Sequence, residues 1–306
     1  MDNRNTRIHI RSGGFSLMEF LVASALGMIV LIAATSGYFD TRALDKAAGE
    51  RTVAQQDLRR AADMLVRDAH MAGSFGCFDM RGAAGSAVRG DDALDMLQSL
   101  QTAGQTSLQA VKASASAAAL NTGGFTATSS ALVFLYGEPA GMIYQADEEI
   151  AAGAPVVYSS CDRIFRPSEH LQTAAEIRAA LGIGGNSDGE VSVMRYTPAA
   201  YAVGSADGQE GLYRFVLGLD GRWGSPQLLV KNISSWNVSY LYAAECRSDG
   251  HAELFEHTHT VRAGETPALI HIRLNGGKVG EADNAVVAPV IEAAVGGGSS
   301  CAKQVR

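Results

Sequence analysis

Glu19 is the residue whose chemistry most needs explaining. It is the sole charge between Arg11 and Asp40. A carboxylate inside an apolar segment is expensive, and by default it marks function with a partner to be named. The nearest candidate partner is an α-amino group. A cut after Gly14 would leave a positive N-terminus on Phe15, able to pair with its own Glu19 or with that of a neighbouring helix. The competing structural reading is a carboxylate that snorkels to a polar interface.

Four cysteines form the second set: Cys77, Cys161, Cys246 and Cys301. None makes a CxxC pair. An even, widely spaced number beyond an apolar segment reads as two disulfides in an oxidising compartment. Three connectivities are open, and the sequential one, Cys77 with Cys161 and Cys246 with Cys301, is the expectation. A zinc site needs clustered ligands, which these cysteines do not supply.

Other constellations are weaker. His251, Glu253, Glu256, His257 and His259 have metal-ligating side chains, and in a strand His257 and His259 would share a face. A solvated hairpin or loop explains them better. The run Gly182 to Gly189 lacks a Walker lysine and a preceding strand, so it reads as a connection. No G-x-S-x-G elbow and no H-E-x-x-H occurs. Trp223, Trp236, Tyr240 and Tyr242 can line a ligand patch, but sheet packing is the stronger reading. The expectation is a non-enzyme with no metal and no cofactor.

Glu19 must be held by the apolar run Phe15 to Phe39, which is unbroken by proline. A bilayer core needs roughly 20 such residues, so the run can span one. A secretory signal fits less well, because its apolar region is short and uncharged. The periodicity then predicts continuation of the helix to about Met71. Leu44, Ala47, Ala48, Leu58, Ala61, Ala62, Leu65, Val66 and Ala69 recur at three- and four-residue steps. Arg59, Arg60, Asp63, Arg67 and Asp68 lie between them and are expected to face water. Gly37 and Gly49 weaken the helix, and Gly73 and Gly76 bracket its end.

Residues 81–128 are rich in Ala, Gly, Ser and Gln and read as a loop region, with short helices expected over Asp91–Leu100 and Thr106–Leu120. Strand signals follow at 131–136, 156–158, 190–196, 212–217, 227–230, 236–242 and 268–274, then an apolar stretch at 286–290, with a helix over Glu169–Leu181 and a turn at Asp220-Gly221. A long N-terminal helix before a run of strands is an α+β layout with an antiparallel sheet.

Composition agrees with a folded body: 306 residues, 47% hydrophobic and 19% charged. Net charge is -7. Residues 1–14 carry Arg4, Arg7 and Arg11 against Asp2, so their removal leaves -9. Such an acidic body argues against bulk binding of nucleic acid or anionic lipid. The arginines lie before the apolar run, which puts the leader on the cytoplasmic side and the chain beyond Asp40 outside.

The stretch Gly14-Phe15-Ser16-Leu17-Met18-Glu19, followed by a hydrophobic helix, resembles the class III signal of type IV prepilins and type II secretion pseudopilins. The body resembles PilW/PilJ-type minor pilins at Ala72-Gly73-Ser74-Phe75-Gly76-Cys77, Leu212-Tyr213-Arg214, Leu228 to Ile233 with Val238-Ser239-Tyr240, and Ile270 to Leu274. The resemblance implies a type IV pilin-like fold, with a leader at 1–14, a membrane and assembly helix at 15–39, an amphipathic helix at 40–72 and a periplasmic body at 73–306. It implies cleavage by prepilin peptidase between Gly14 and Phe15, N-methylation of Phe15, and an assembly role for Glu19. It also implies residence in the inner membrane, then in the pilus tip. The partners implied are other minor pilins, the major pilin, a PilY-type tip adhesin and the inner-membrane assembly platform, serving adhesion and twitching motility. One departure is the absence of the proline that major pilins often carry in the membrane helix, which puts unwinding of that helix in doubt. A J-type pseudopilin of type II secretion, a membrane-anchored periplasmic enzyme or binding protein, and a DNA-uptake pilin are the rival readings.

Overall fold

The computed structural model describes residues 16–80, 88–90, 109–114, 117–139, 156–166, 174–183, 191–218, 222–246, 252–262, 265–278 and 285–296. The chain divides into two units, residues 1–52 and 53–306. One helix, α1 (Leu17–Met71), runs without a break through Gly37 and Gly49. In the first unit every described residue is exposed.

In the second unit α1 becomes amphipathic. Leu58, Ala61, Leu65, Asp68 and Ala69 are buried, at the three- and four-residue spacing of one helix face. The helix stops where Gly73, at φ +86°, takes the left-handed conformation that favours glycine. The Gly73 N–H then donates to the Leu135 carbonyl at 2.7 Å, which fastens the helix end to the sheet.

Two short strands follow, β1 (Ser74–Phe75) and β2 (Phe78–Asp79), paired as a hairpin. The larger sheet is built from β3 (Val88–Gly90), β4 (Val111–Ser114), β5 (Thr126–Pro139), β6 (Val156–Ser159), β7 (Ile164–Arg166), β8 (Ser192–Ala206), β9 (Gln209–Val216) and β10 (Gln227–Lys231). The long strand β8 is its spine. β5 lies along one edge of β8, while β6 and β9 share the other edge: Arg195 pairs with Glu138 and Val156, Ala199 with Phe134 and Val216. All pairings are antiparallel except β3 with β7. The β8–β9 hairpin turns on Asp207-Gly208, both at positive φ, the combination that suits a two-residue hairpin. Gly204, in β8, is required by close approach: a Cβ there would meet the Thr126 carbonyl and the Phe125 ring.

A second sheet of four antiparallel strands has the order β12-β11-β13-β14, with β11 (Ile233–Cys246), β12 (Ala252–Thr258), β13 (Leu269–Lys278) and β14 (Ala285–Ala294). The period-two alternation of strands divides the core into two layers. Leu132, Phe134 and Tyr136 of β5 join the cluster that holds Leu58, Leu65 and the inward side chains of the second sheet, such as Ile270 and Ile272. Ala131, Val133 and Leu135 join the opposite cluster with Phe75, Phe78 and Phe125. The larger sheet is thus covered on both faces.

Three expectations change. The segment 81–128 is not loop throughout, because it holds β3, β4 and the start of β5. In place of a helix over Thr106–Leu120 there are β4 and a 3-10 turn at Ala118–Leu120. Val111 to Ser114 pair with Ala131 to Phe134, and this tertiary pairing overrides the alanine-rich local preference. Asp68 does not face water. It is fully buried, because it lies three residues after Leu65 and seven after Ala61, on the packed stripe. Helix α2 occupies Ala174–Ala180, within the expected span. The expected helix at Asp91–Leu100 and the turn at Asp220-Gly221 lie outside the described residues.

Candidate functional site

The first candidate is the start of α1. Gly14 and Phe15 lie outside the described residues. Ser16 precedes the helix, and the Met18 N–H donates to its Oγ at 3.3 Å. Glu19 reaches back, its Oε2 accepting the Ser16 N–H at 3.1 Å. Ser16 thus caps the N2 position while Glu19 at N3 reaches back as in a capping box, and the first-turn carboxylate also opposes the positive end of the helix dipole. Glu19 therefore has a local partner in the Ser16 N–H, which the Ser-x-x-Glu spacing signals. After it the apolar side chains find nothing to pack on: Leu17, Phe20, Ile29 and Leu31 expose 79%, 70%, 63% and 68%. Among the described residues this is the single helix long and apolar enough to cross a membrane, and its apolar stretch is unburied.

The second is a buried polar knot under α1. Arg214 of β9 donates Nη2 at 2.8 Å and Nε at 3.0 Å to Oδ2 of Asp68. The Tyr201 hydroxyl donates to the same oxygen at 2.6 Å, and the Tyr136 hydroxyl donates to Oδ1 at 3.3 Å. Burial, then the Asp68 carboxylate, pushes the Tyr136 phenol up to about 12. The same causes raise Tyr201. Burial alone would lower the Arg214 pKa, but the Tyr201 oxygen and the Asp68 carboxylate outweigh it and raise it. Both phenols therefore stay neutral donors and the guanidinium stays charged. All four side chains of the knot are buried, which suits positioning: a buried charge pair with its lone pairs filled fixes one register.

The third is the disulfide Cys77–Cys161, which joins the β1–β2 turn to the end of β6. Beside it the Ser159 hydroxyl donates to the Phe75 carbonyl at 2.7 Å. Cys246 ends β11, and the expected pairing of Cys246 with Cys301 lies outside the described residues.

The fourth is the outer face of the four-stranded sheet, a hollow of about 580 Å³. Alternation puts Trp236, Val238, Tyr240 and Ile272 into the core and turns Asn237, Ser239, His271 and Arg273 to the opposite face, where Ser239 is buried at the floor of the hollow. The ladder sets them in rows, with Asn237 opposite Arg273 and Ser239 opposite His271. His257 and His259 enter from β12 and its end, their rings edge to face at 5.1 Å. Glu292 of β14 stands opposite His271, at 3.7 Å. The candidate cluster of His251, Glu253, Glu256, His257 and His259 is thus only partly assembled. His251 lies outside the described residues. Glu253 is in β12, and Glu256 points elsewhere, bonded to Arg262 at 2.6 Å. His271 and Arg273 join from a distant strand, which sequence spacing could not reveal. Among the described residues no group of three metal-ligating side chains is arranged to hold an ion.

The aromatic residues do not form a patch. Tyr240 and Tyr242 are buried, Trp236 packs with them, and Trp223 belongs to the opposite cluster. Tyr242 accepts the Arg262 N–H at 2.9 Å, with the guanidinium 4.8 Å from its ring centre. Gly182 follows α2 in a positive-φ turn, and the rest of that glycine run lies outside the described residues. No protein-family model, curated protein or solved structure matches the chain.

Proposed function

We propose that the chain is a minor pilin of a type IV pilus, made as a prepilin and anchored in the inner membrane by the first half of α1. Prepilin peptidase cuts between Gly14 and Phe15 and methylates Phe15. The apolar half of the helix then packs among other pilin helices, with Glu19 setting axial register against a neighbour's N-terminal amine. The body faces the periplasm, joins other minor pilins in starting the fibre, and stands at the tip with a PilY-type adhesin. The chain itself catalyses nothing.

The observation that carries this reading is the two-part character of one helix. Its apolar stretch is wholly unburied, with a single carboxylate in the first turn, and its later turns are amphipathic and packed on a sheet. The capping box is compatible with the register role. It holds Glu19 beside the helix start, where a new amine on Phe15 would lie. Glu19→Ala tests the proposal: surface piliation is lost while processing is retained. Normal piliation in that variant contradicts the assembly role of Glu19.

A J-type pseudopilin of type II secretion has the same first helix, and neighbouring genes for a tip adhesin or a secretion channel separate the two. A membrane-anchored binding protein is favoured by one observation, the hollow on the four-stranded sheet. That reading predicts an uncut leader.

A further inference from the structure

We propose that the outer face of the four-stranded sheet binds an acidic saccharide, a sugar ring bearing a carboxylate, through Arg273. The inference does not depend on the pilin proposal. Arg273 is exposed on β13, and its side chain forms no ion pair or hydrogen bond among the described residues. A guanidinium matches a carboxylate through parallel N–H donors. The side chains in its own row are Asn237 and Val290, neither of which is acidic. The nearest acid in the hollow, Glu292, stands opposite His271 in the next row. An unopposed cation in a chain of net charge -7 marks this face for an anionic ligand.

The rest of the ligand follows from what surrounds Arg273. Asn237, Asn275 and Ser239 supply amides and a hydroxyl that both donate and accept, as a ring of sugar hydroxyls requires. Asn275 is held in place by donating to the Ser235 hydroxyl at 3.2 Å. The edge-to-face pair His257 and His259 gives the hollow a ring wall. The geometry disfavours an acidic peptide. β13 is an interior strand, with its backbone paired to β11 and β14, so a peptide main chain lying over Arg273 would find no ladder to join there. A hollow of about 580 Å³ takes a small ligand of one or a few sugar rings.

The test is calorimetric titration of the full chain in detergent with trigalacturonate, its methyl ester and triglutamate. Trigalacturonate is expected to bind, with affinity lowered about tenfold or more by esterification or by Arg273→Ala, the loss of one charged hydrogen-bonding partner. Lys231→Ala, a cation outside the hollow, is expected to leave binding unchanged. Equal binding of the ester overturns the role of the carboxylate. Equal or tighter binding of triglutamate overturns the saccharide class. No binding by trigalacturonate, or binding unaffected by Arg273→Ala, overturns the site.

Discussion

Arg214 holds Asp68 through two nitrogens on a single carboxylate oxygen, at 2.8 and 3.0 Å. The pair joins the inward face of α1 to β9, residues 146 positions apart in sequence. It sets where the helix lies on the sheet, because a shift of one helical position would part the charges inside the core.

Breaking the pair is costly. Asp68→Asn is expected to destabilise the body by about 3–5 kcal/mol, the usual consequence of leaving one buried charge unmatched. Arg214→Met alone costs a similar amount, and the double variant costs less than the sum. Urea melts of the four proteins check this. A strictly additive pair removes the coupling.

Tyrosine ionisation gives a pH dependence with a fixed sign. Tyr136 is raised from 10.0 to about 12 in the folded chain, and Tyr201 is raised too. Below pH 10 both folded and unfolded chains keep these protons, and the contribution is complete. Above it the unfolded chain ionises first, so stability falls as pH climbs from 10 towards 12. Phenolate absorbance followed alongside circular dichroism should show the last tyrosines titrating with unfolding. In Tyr201→Phe the alkaline loss becomes shallower, at a cost of about 1.5–3 kcal/mol at neutral pH for the lost hydrogen bond to a charged carboxylate.

Reduction is expected to weaken the body. The Cys77–Cys161 bridge spans 84 residues of sequence. Removing it by Cys77→Ala with Cys161→Ala costs about 2–5 kcal/mol. Thermal melts with and without a reducing agent check the value in the parent protein, and the double variant should be insensitive to the reductant.

The proposed membrane attachment rests on the apolar first half of α1. The full chain is expected to stay in the membrane pellet after alkaline carbonate washing, and a chain lacking residues 15–39 to be released. Release of the full chain would contradict the spanning segment.

The helix, its end near Met71 and the strands β5, β6, β8, β9, β10, β11 and β13 were legible from periodicity, because local spacing decides them, whereas β1, β2, β3 and β7 are too short to carry a pattern. Asp68 was misplaced because adjacent charges suggested a wet face, although its spacing from Ala61 and Leu65 put it on the packed one. Arg214 carried the matching signal, since in β9 it shares a side with buried Leu212. β4 was hidden because its pairing with β5 is tertiary and its composition is helical. The hollow was half visible: His257 and His259 lie near each other in sequence, whereas His271 and Arg273 reach them only across the second sheet.

The central claim is tested most directly by the mass of the chain's N-terminus after expression with and without prepilin peptidase. The account predicts an intact leader without the enzyme and, with it, a chain beginning at an N-methylated Phe15. An intact Met1 in the presence of the enzyme, or a cut elsewhere than between Gly14 and Phe15, would contradict it.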